Sequence, residues 1–454
     1  MPLKFTISGL RGVWKDGIDL EVILDYSKRF IYYLNTKSNS GKVIVLGRDT
    51  RKTSPIIHDF VSAVVRAYGF SVIDLGIITT PMVLFAVREL KAQGGIIVTA
   101  SHNPPQWNAL KFVDSGGVFV QQNVIDFMSS PKEVELTDWN EVGIEKNLNQ
   151  EEVLDLFFDK VQRFIDVSII KNRKFKVAFD PVNGAGTYIG KLFLEKLNCE
   201  VFTIHSEVDK FPERETEPTQ SALERLSEVV LEKRCDVGFA LDPDGDRLAI
   251  VFENGFVPSE EYTLPLSEIS AIEYLGRYVN SKKIVINLST SSLSEFVAQK
   301  YGFEVIRTKV GEANVVKELI ESGGFIGGEG NGGVIFPLIN SARDSFVGML
   351  LILLLMAQTN KKVSELASSL PNLKMVKTKF MKFEDSSIKN IVNAISNKFR
   401  LISENDIDGY WFKFSHGWIH IRNSNTEPIT RVIFEGNDEF VNYVSDVLKS
   451  INLI

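Results

Sequence analysis

The sequence predicts an α/β protein, with three related α/β domains in tandem followed by a smaller α+β C-terminal domain. Three observations predict it. An order of apolar strand, polar loop, helical stretch and second strand recurs three times along the chain. The third strand of each copy ends in the most unusual loop of its segment, as ligand loops do in open α/β sheets. After about residue 365 the texture changes to a different order of strands and helices. The expected boundaries are 1–150, 151–254, 255–367 and 368–454, and a chain of 454 residues is long enough for several cores.

The copies open with "KVIVLGRDTRKTSP" at 42, "FKVAFDPVNGAGTY" at 175 and "KKIVINLSTSSLSE" at 282. Their second strands are "GFSVIDLGI" at 69, "CEVFTIHSE" at 199 and "GFEVIRTKVG" at 302, with helical patterns such as "IIHDFVSAVVRAY" and "LSEFVAQKY" before them. Their third strands run into "GGIIVTASHNPP", "CDVGFALDPDGDR" and "GGFIGGEGNGG". The last segment reads as a helix "IKNIVNAISNKF", strands within "GYWFKFSHGWIHIRNSNTEPITRVIFEG", and a closing helix "EFVNYVSDVLKSI". The apolar run "FVGMLLILLLMA" is too short to span a bilayer and predicts a buried helix.

With 44% apolar and 24% charged residues the chain has the make-up of a folded globular protein. A net charge of −7 and the lack of any long basic block argue against nucleic acid or an anionic membrane as partner. The two cysteines, Cys199 and Cys235, have no metal-ligand spacing and form no disulfide framework, which points to a reducing cytoplasm.

Four loops carry candidate chemistry. "DPDGDR" sets Asp242, Asp244 and Asp246 at alternate positions between two strand-like runs. Three crowded carboxylates repel one another unless a cation sits among them, and oxygen ligands suit Mg²⁺ or Ca²⁺. An EF-hand loop competes, since Glu253 falls at its twelfth position, but Arg247 stands where that loop needs glycine. A solvated acidic turn is the plain alternative. In "GGEGNGG", Glu329 would repel a phosphate; together with Asn331 it suits sugar hydroxyls, although a flexible turn has the same composition. "RNSNTEP" offers Arg422, Ser424, Asn425 and Thr426, a guanidinium fork plus small donors fit for a phosphate, or an ordinary turn. "TASHNPP" places Ser101 between a strand end and a stiff double proline, without the glycines of a hydrolase elbow. His102, its sequence neighbour, is expected to be a structural hydrogen-bonder rather than its base.

Together these loops resemble the α-D-phosphohexomutase family, in its phosphomannomutase/phosphoglucomutase branch. The likeness spans the chain and extends to "GLRG" at 9, "GRDTRKTS" at 47, "DPVNGAG" at 180 and "TKVGEANV" at 308. It implies that Ser101 carries a phosphoryl group and that Asp242, Asp244 and Asp246 hold Mg²⁺ with an oxygen at Ser101. It implies reversible transfer between the 1- and 6-positions of a hexose phosphate through a bound hexose 1,6-bisphosphate. Arg11 and Lys111 would support the transfer, with Lys111 or His102 moving the proton. Arg247, Glu312, Glu329 and Asn331 would contact the substrate, and Arg422, Ser424, Asn425 and Thr426 its distal phosphate. The last domain is expected to close by a hinge near residue 368. The preferred sugar stays open among glucose, mannose and glucosamine, and a metal-dependent phosphatase or a non-catalytic sugar-phosphate sensor is a further alternative. Three positions depart from the family pattern: Gly333 stands where a histidine is usual, and Ala109 and Ser345 where glycines are.

Overall fold

The computed structural model describes residues 3–37, 41–423 and 429–450. Three α/β segments in tandem precede a smaller α+β one, so the fold class is the predicted one. By compactness the chain divides into one unit of residues 1–280 with 331–364, and another of residues 281–330 with 365–454.

In the first unit, one sheet orders its strands Lys4–Thr6, Gly9–Val13, Trp107–Asp114, Gly94–Val98, Val43–Arg48, Ser71–Ile77 and Glu145–Asn147. Val43–Arg48 lies parallel to both neighbours and is apolar throughout its centre, as a strand covered on both faces must be. Trp107–Asp114 runs antiparallel to Gly94–Val98 and so carries the chain straight back from the loop around Ser101. Arg11 pairs with Ala109, two residues from Lys111, which puts Arg11 and Lys111 on one face of the sheet.

A second sheet orders Glu200–Thr203, Lys176–Asp180, Val237–Leu241 and Leu248–Phe252. The first three are parallel, and the last is the antiparallel partner of Val237–Leu241, with Leu241 opposite Leu248. Residues 242–247 are therefore a hairpin connection. An EF-hand would need a helix after this loop, and the β-rich "LAIVF" forms a strand instead.

The run "FVGMLLILLLMA" lies in the helix Ser345–Thr359, whose side chains are buried on every side from Ser345 to Met356. Asp344 caps it, its carboxylate accepting from the backbone N–H of Phe346 at 2.8 Å. The helix packs against Thr263–Leu275 and sets the Phe346 ring edge-on to Phe193 at 5.0 Å. Among the described residues no helix is long and apolar enough to cross a membrane. Both cysteines are free and buried, and burial pushes each thiol up to about 12.

Asp180, at the end of its strand, accepts from Arg214 Nε at 2.7 Å and from His205 Nδ1 at 3.0 Å. Burial works to raise Asp180, but these two partners outweigh it and hold the carboxyl below its usual range; the same bond raises His205 above 6.5. A raised imidazole contributes stability below 6.5 that fades as pH climbs through its folded value. Exchange of His205 for Asn, which tolerates the left-handed backbone there (φ 44°), is expected to remove on the order of 1 kcal/mol in acid. Urea unfolding checks it: the gap between the two proteins should be wider near about pH 6 than near about pH 9.

The second unit holds the parallel strands Glu304–Thr308, Lys283–Asn287 and Ile326–Glu329, in which Ile284 pairs with Val305 on one side and Ile326 on the other. It also holds an antiparallel sheet ordered Lys374–Met381, Ile429–Gly436, Gly417–Asn423, Tyr410–Phe414 and Leu401–Asn405. The amphipathic helices Asp385–Ser396 and Asp438–Ser450 contribute Ile391, Ile395, Val444 and Leu448 to a core with Phe399, Ile419 and Phe434.

Candidate active site

Within the first unit, the loop after Gly94–Val98 turns sharply at Ser101, which adopts a left-handed backbone with φ 51°. For a residue other than glycine this costs roughly 1–3 kcal/mol, and such outliers collect at functional sites. The backbone N–H of Ser101 donates to Thr99 Oγ1 at 3.0 Å, and the side chain is buried. Ser101 Oγ lies 3.4 Å from Asp242 Oδ2 and 3.3 Å from His102 Nδ1.

The second distance corrects the sequence-based expectation for His102. Extended or helical backbone would send neighbouring side chains apart; the left-handed turn brings the imidazole back to the hydroxyl. Burial, and then the Arg247 guanidinium, lower His102 to about 4, so its ring is neutral near neutral pH. Thr216 Oγ1 donates to the His102 carbonyl at 2.9 Å and fixes the turn from outside.

Asp242, Asp244 and Asp246 are buried, and one oxygen of each lies within 4.8 Å of the others. Asp242 Oδ1 accepts from the backbone N–H of Asp246 at 3.1 Å and of Arg247 at 3.2 Å, which folds the loop around it. Gly245 makes that turn with φ 70°, where an added Cβ would meet Thr79 Cγ2 at 2.5 Å. Lys111 Nζ donates to Asp244 Oδ2 at 2.7 Å, and Thr80 Oγ1 to the same oxygen at 2.8 Å.

Burial alone would raise Asp244, but the Lys111 ammonium overrides it and keeps the carboxylate ionised. Asp242 goes the other way: burial first, then Asp246 and Asp244, push it well above the usual carboxylate range. Asp244 Oδ1 and Asp246 Oδ1 are buried without a hydrogen-bond partner. Orphaned carboxylate oxygens converging in a crowded, buried loop fit a hard divalent cation bound through oxygen, as the sequence predicts.

Arg11 donates to Asn103 Oδ1 at 2.6 Å and to the Ser8 carbonyl at 3.4 Å, beside the Ser101 loop. Burial lowers its pKa, though a guanidinium remains charged. Arg247 is paired with Glu217 and stands 3.7 Å from Asp246 Oδ1. Asn331 also belongs to this unit, and its buried Oδ1 has no hydrogen-bond partner, leaving an acceptor for a hydroxyl. Gly332, with φ 84°, passes so close to Leu248 that a Cβ would sit 2.1 Å from that carbonyl. At Gly333 a Cβ would meet Arg343 Cδ at 2.3 Å; the arginine fills the space that a longer side chain at 333 would need.

The second unit holds the other predicted contacts. Glu329 Oε1 accepts from Asn287 Nδ2 at 2.7 Å and from the Gly311 N–H at 2.8 Å, which orients the carboxylate. Glu312 is nearly buried at the start of the helix Glu312–Ser322. Arg422, near the end of Gly417–Asn423, pairs with Asp408 at 3.3 Å. Ser424, Asn425 and Thr426 lie outside the described residues.

Several supporting residues escaped the sequence reading. Arg343 donates to Asp246, Thr80 to Asp244, Asn287 to Glu329, and Glu217 pairs with Arg247. One faint signal existed: Arg343 lies directly before Asp344, the cap of the apolar helix.

Three family models match the chain: phosphoglucomutase/phosphomannomutase α/β/α domain I at residues 2–128, domain II at 155–255 and domain III at 269–373. A phosphoglucomutase/phosphomannomutase of Thermococcus kodakarensis is 32% identical, covering 96% of this chain and 95% of its own length. A phosphoglucosamine/phosphogalactosamine mutase of Sulfurisphaera tokodaii is 30% identical, covering 98% of each. The crystal structure of a phosphoglucomutase/phosphomannomutase family protein from Burkholderia thailandensis shares the fold, with TM-score 0.78 at 22% identity, over 98% of this chain and 96% of that one.

Proposed function

We propose, since this chain belongs to the phosphoglucomutase/phosphomannomutase family of phosphohexomutases and is an intramolecular phosphotransferase, that it interconverts glucose or mannose 1- and 6-phosphates through phospho-Ser101. The observation that carries the reading is the buried Ser101 hydroxyl, 3.4 Å from Asp242 in a carboxylate cluster with unpartnered oxygens.

Asp242, Asp244, Asp246 and an oxygen on Ser101 would hold Mg²⁺, which supplies Lewis-acid stabilisation of charge on the transferring group. The sugar's free hydroxyl oxygen bonds to phosphorus as the bond from phosphorus to Ser101 Oγ breaks; the hydroxyl proton passes to the neutral His102 ring, and the Lys111 ammonium supplies a proton to the leaving Oγ. The product is a bound hexose 1,6-bisphosphate. It turns over and returns its other phosphoryl group to Ser101, giving the isomeric monophosphate. Arg11, Lys111 and Arg247 neutralise charge on the phosphoryl oxygens. Glu312, Glu329 and Asn331 hold sugar hydroxyls, and Arg422 with Ser424, Asn425 and Thr426 grips the phosphate remote from Ser101.

The phosphoserine loop belongs to the proposed domain 1–150, the metal loop to 151–254, the sugar loop to 255–367 and the distal phosphate loop to 368–454. Two buried, unpaired thiols support a reducing cytoplasm as the setting. A glucosamine phosphate is the second reading, favoured by Gly333, which removes the side chain usual in the sugar loop, and by the aminosugar mutase relative. Parallel assays of glucose, mannose and glucosamine 1-phosphates decide the sugar. Free phosphate released faster than isomer would replace the mutase reading with a phosphatase.

A further inference from the structure

We infer that Arg51 is the positioning residue that holds Ser101 in register for phosphoryl transfer. The inference rests on the phosphoserine reading above. The Arg51 guanidinium donates to the carbonyls of Ser101 and Asn103 at 2.6 Å each, of Pro104 at 2.7 Å and of Trp107 at 3.1 Å. Its remaining donor, Nε, reaches Asp49 Oδ2 at 3.1 Å. A rigid planar fork thus spends nearly all its N–H groups on one loop.

The arginine is itself anchored. Asp49 is buried, accepts from the backbone N–H of Arg51 at 3.0 Å and takes the Ser54 hydroxyl as well. The loop has other holds, the local backbone bonds from Asn103 to Ala100 and from Trp107 to Pro104, the Trp14 N–H on the Gln106 carbonyl at 2.9 Å and the Thr216 hydroxyl on the His102 carbonyl at 2.9 Å, but none of them takes more than one carbonyl. Its left-handed residue, Ser101, turns the carbonyl chain away from the sheet, and the guanidinium collects the carbonyls that the sheet cannot pair. Four of the side-chain hydrogen bonds that set the position of Oγ relative to Asp242 therefore come from Arg51, beside the one from Thr216. A lysine has one charged centre and cannot span carbonyls spread over residues 101–107.

A pocket of about 730 Å³ in the first unit includes Arg51, Asn103 and Pro105 in its lining, with Lys52 and Phe211 on its wall. It opens beside the Arg51 side chain, and this allows a chemical test. In the full-length enzyme, Arg51→Ala is expected to lower kcat about 100-fold, the scale of a small misplacement at the reacting atom, with KM unchanged. Methylguanidine in the assay is expected to restore part of that rate in a saturable way, and methylammonium is not. Thermal melting reports whether the variant is folded, and Arg51→Lys serves as the second variant, expected to melt like wild type yet lose rate.

A folded Arg51→Ala or Arg51→Lys enzyme with undiminished kcat overturns the inference; so does a loss confined to KM, or a loss that methylguanidine leaves untouched. If neither variant folds, Arg51 serves folding and the inference also fails. Intact mass of the wild-type protein keeps the two readings apart: absence of any phosphoryl group on Ser101 after incubation with hexose 1,6-bisphosphate overturns the phosphoserine reading, whatever Arg51 does.

Discussion

Replacement of Ser101 by Ala is expected to lower mutase turnover by on the order of 10⁶-fold, the scale seen when an enzyme loses its nucleophile. The hydroxyl has no substitute nearby. Among the groups around it, Asp242 and Asp244 are acceptors in the carboxylate cluster, Lys111 is bound to Asp244, and the His102 ring faces Oγ itself. Sugar phosphate binding should survive, because Arg11, Arg247, Glu329 and Arg422 are untouched. The check has two parts. Intact-protein mass should show one phosphoryl group on the wild type, removable by substrate, and none on the variant; titration calorimetry should show retained binding. Full turnover in the Ser101→Ala protein would end the phosphoserine mechanism.

The second large effect concerns the metal. With three buried carboxylates converging and two of their oxygens unpartnered, the apo loop stores repulsion that a divalent cation removes. Addition of Mg²⁺ to chelator-treated protein is expected to raise the melting temperature, with about 2.7 kcal/mol of stabilisation at a hundredfold excess over Kd. Asp242→Asn removes the carboxyl that burial and its two neighbours make hardest to ionise, and one proposed ligand. Its chelator-treated form should therefore melt at or above the wild-type temperature, while its response to Mg²⁺ shrinks and its turnover falls by several kcal/mol of lost transition-state stabilisation. Calorimetric scans of both proteins, with and without Mg²⁺, measure this. A variant that keeps the full response would remove Asp242 from the ligand set.

Both effects follow from residues that the sequence displays openly. Ser101 and the aspartates sit in short loops between period-two apolar runs, so strand ends and loop chemistry are local information. The strand after Arg247 and the buried helix after Asp344 were legible for the same reason: composition alone distinguishes a β-rich run from a calcium loop's helix, and an apolar helix from an amphipathic one. What stayed hidden is long-range or conformational. Arg51 and Ser101 are separated by 50 residues in sequence, and Arg343 reaches Asp246 across a still larger interval. No spacing rule links them. The meeting of Ser101 and His102 failed for another reason, since a single left-handed residue reverses which neighbours face each other.

The first unit is discontinuous: residues 331–364 complete what residues 1–280 begin. Its metal loop takes the Arg343 guanidinium on Asp246, and the Ser345 hydroxyl on the Gly245 carbonyl at 2.7 Å, from that late segment. A ribosome delivers the loop about a hundred residues before it delivers these two supports, at a pace of roughly 5–20 residues per second. For several seconds the nascent chain thus carries its cluster of acids without the arginine that restrains one of them. The packing of this loop is therefore completed by the emergence of the segment that leads into the apolar helix, rather than by the making of the loop itself.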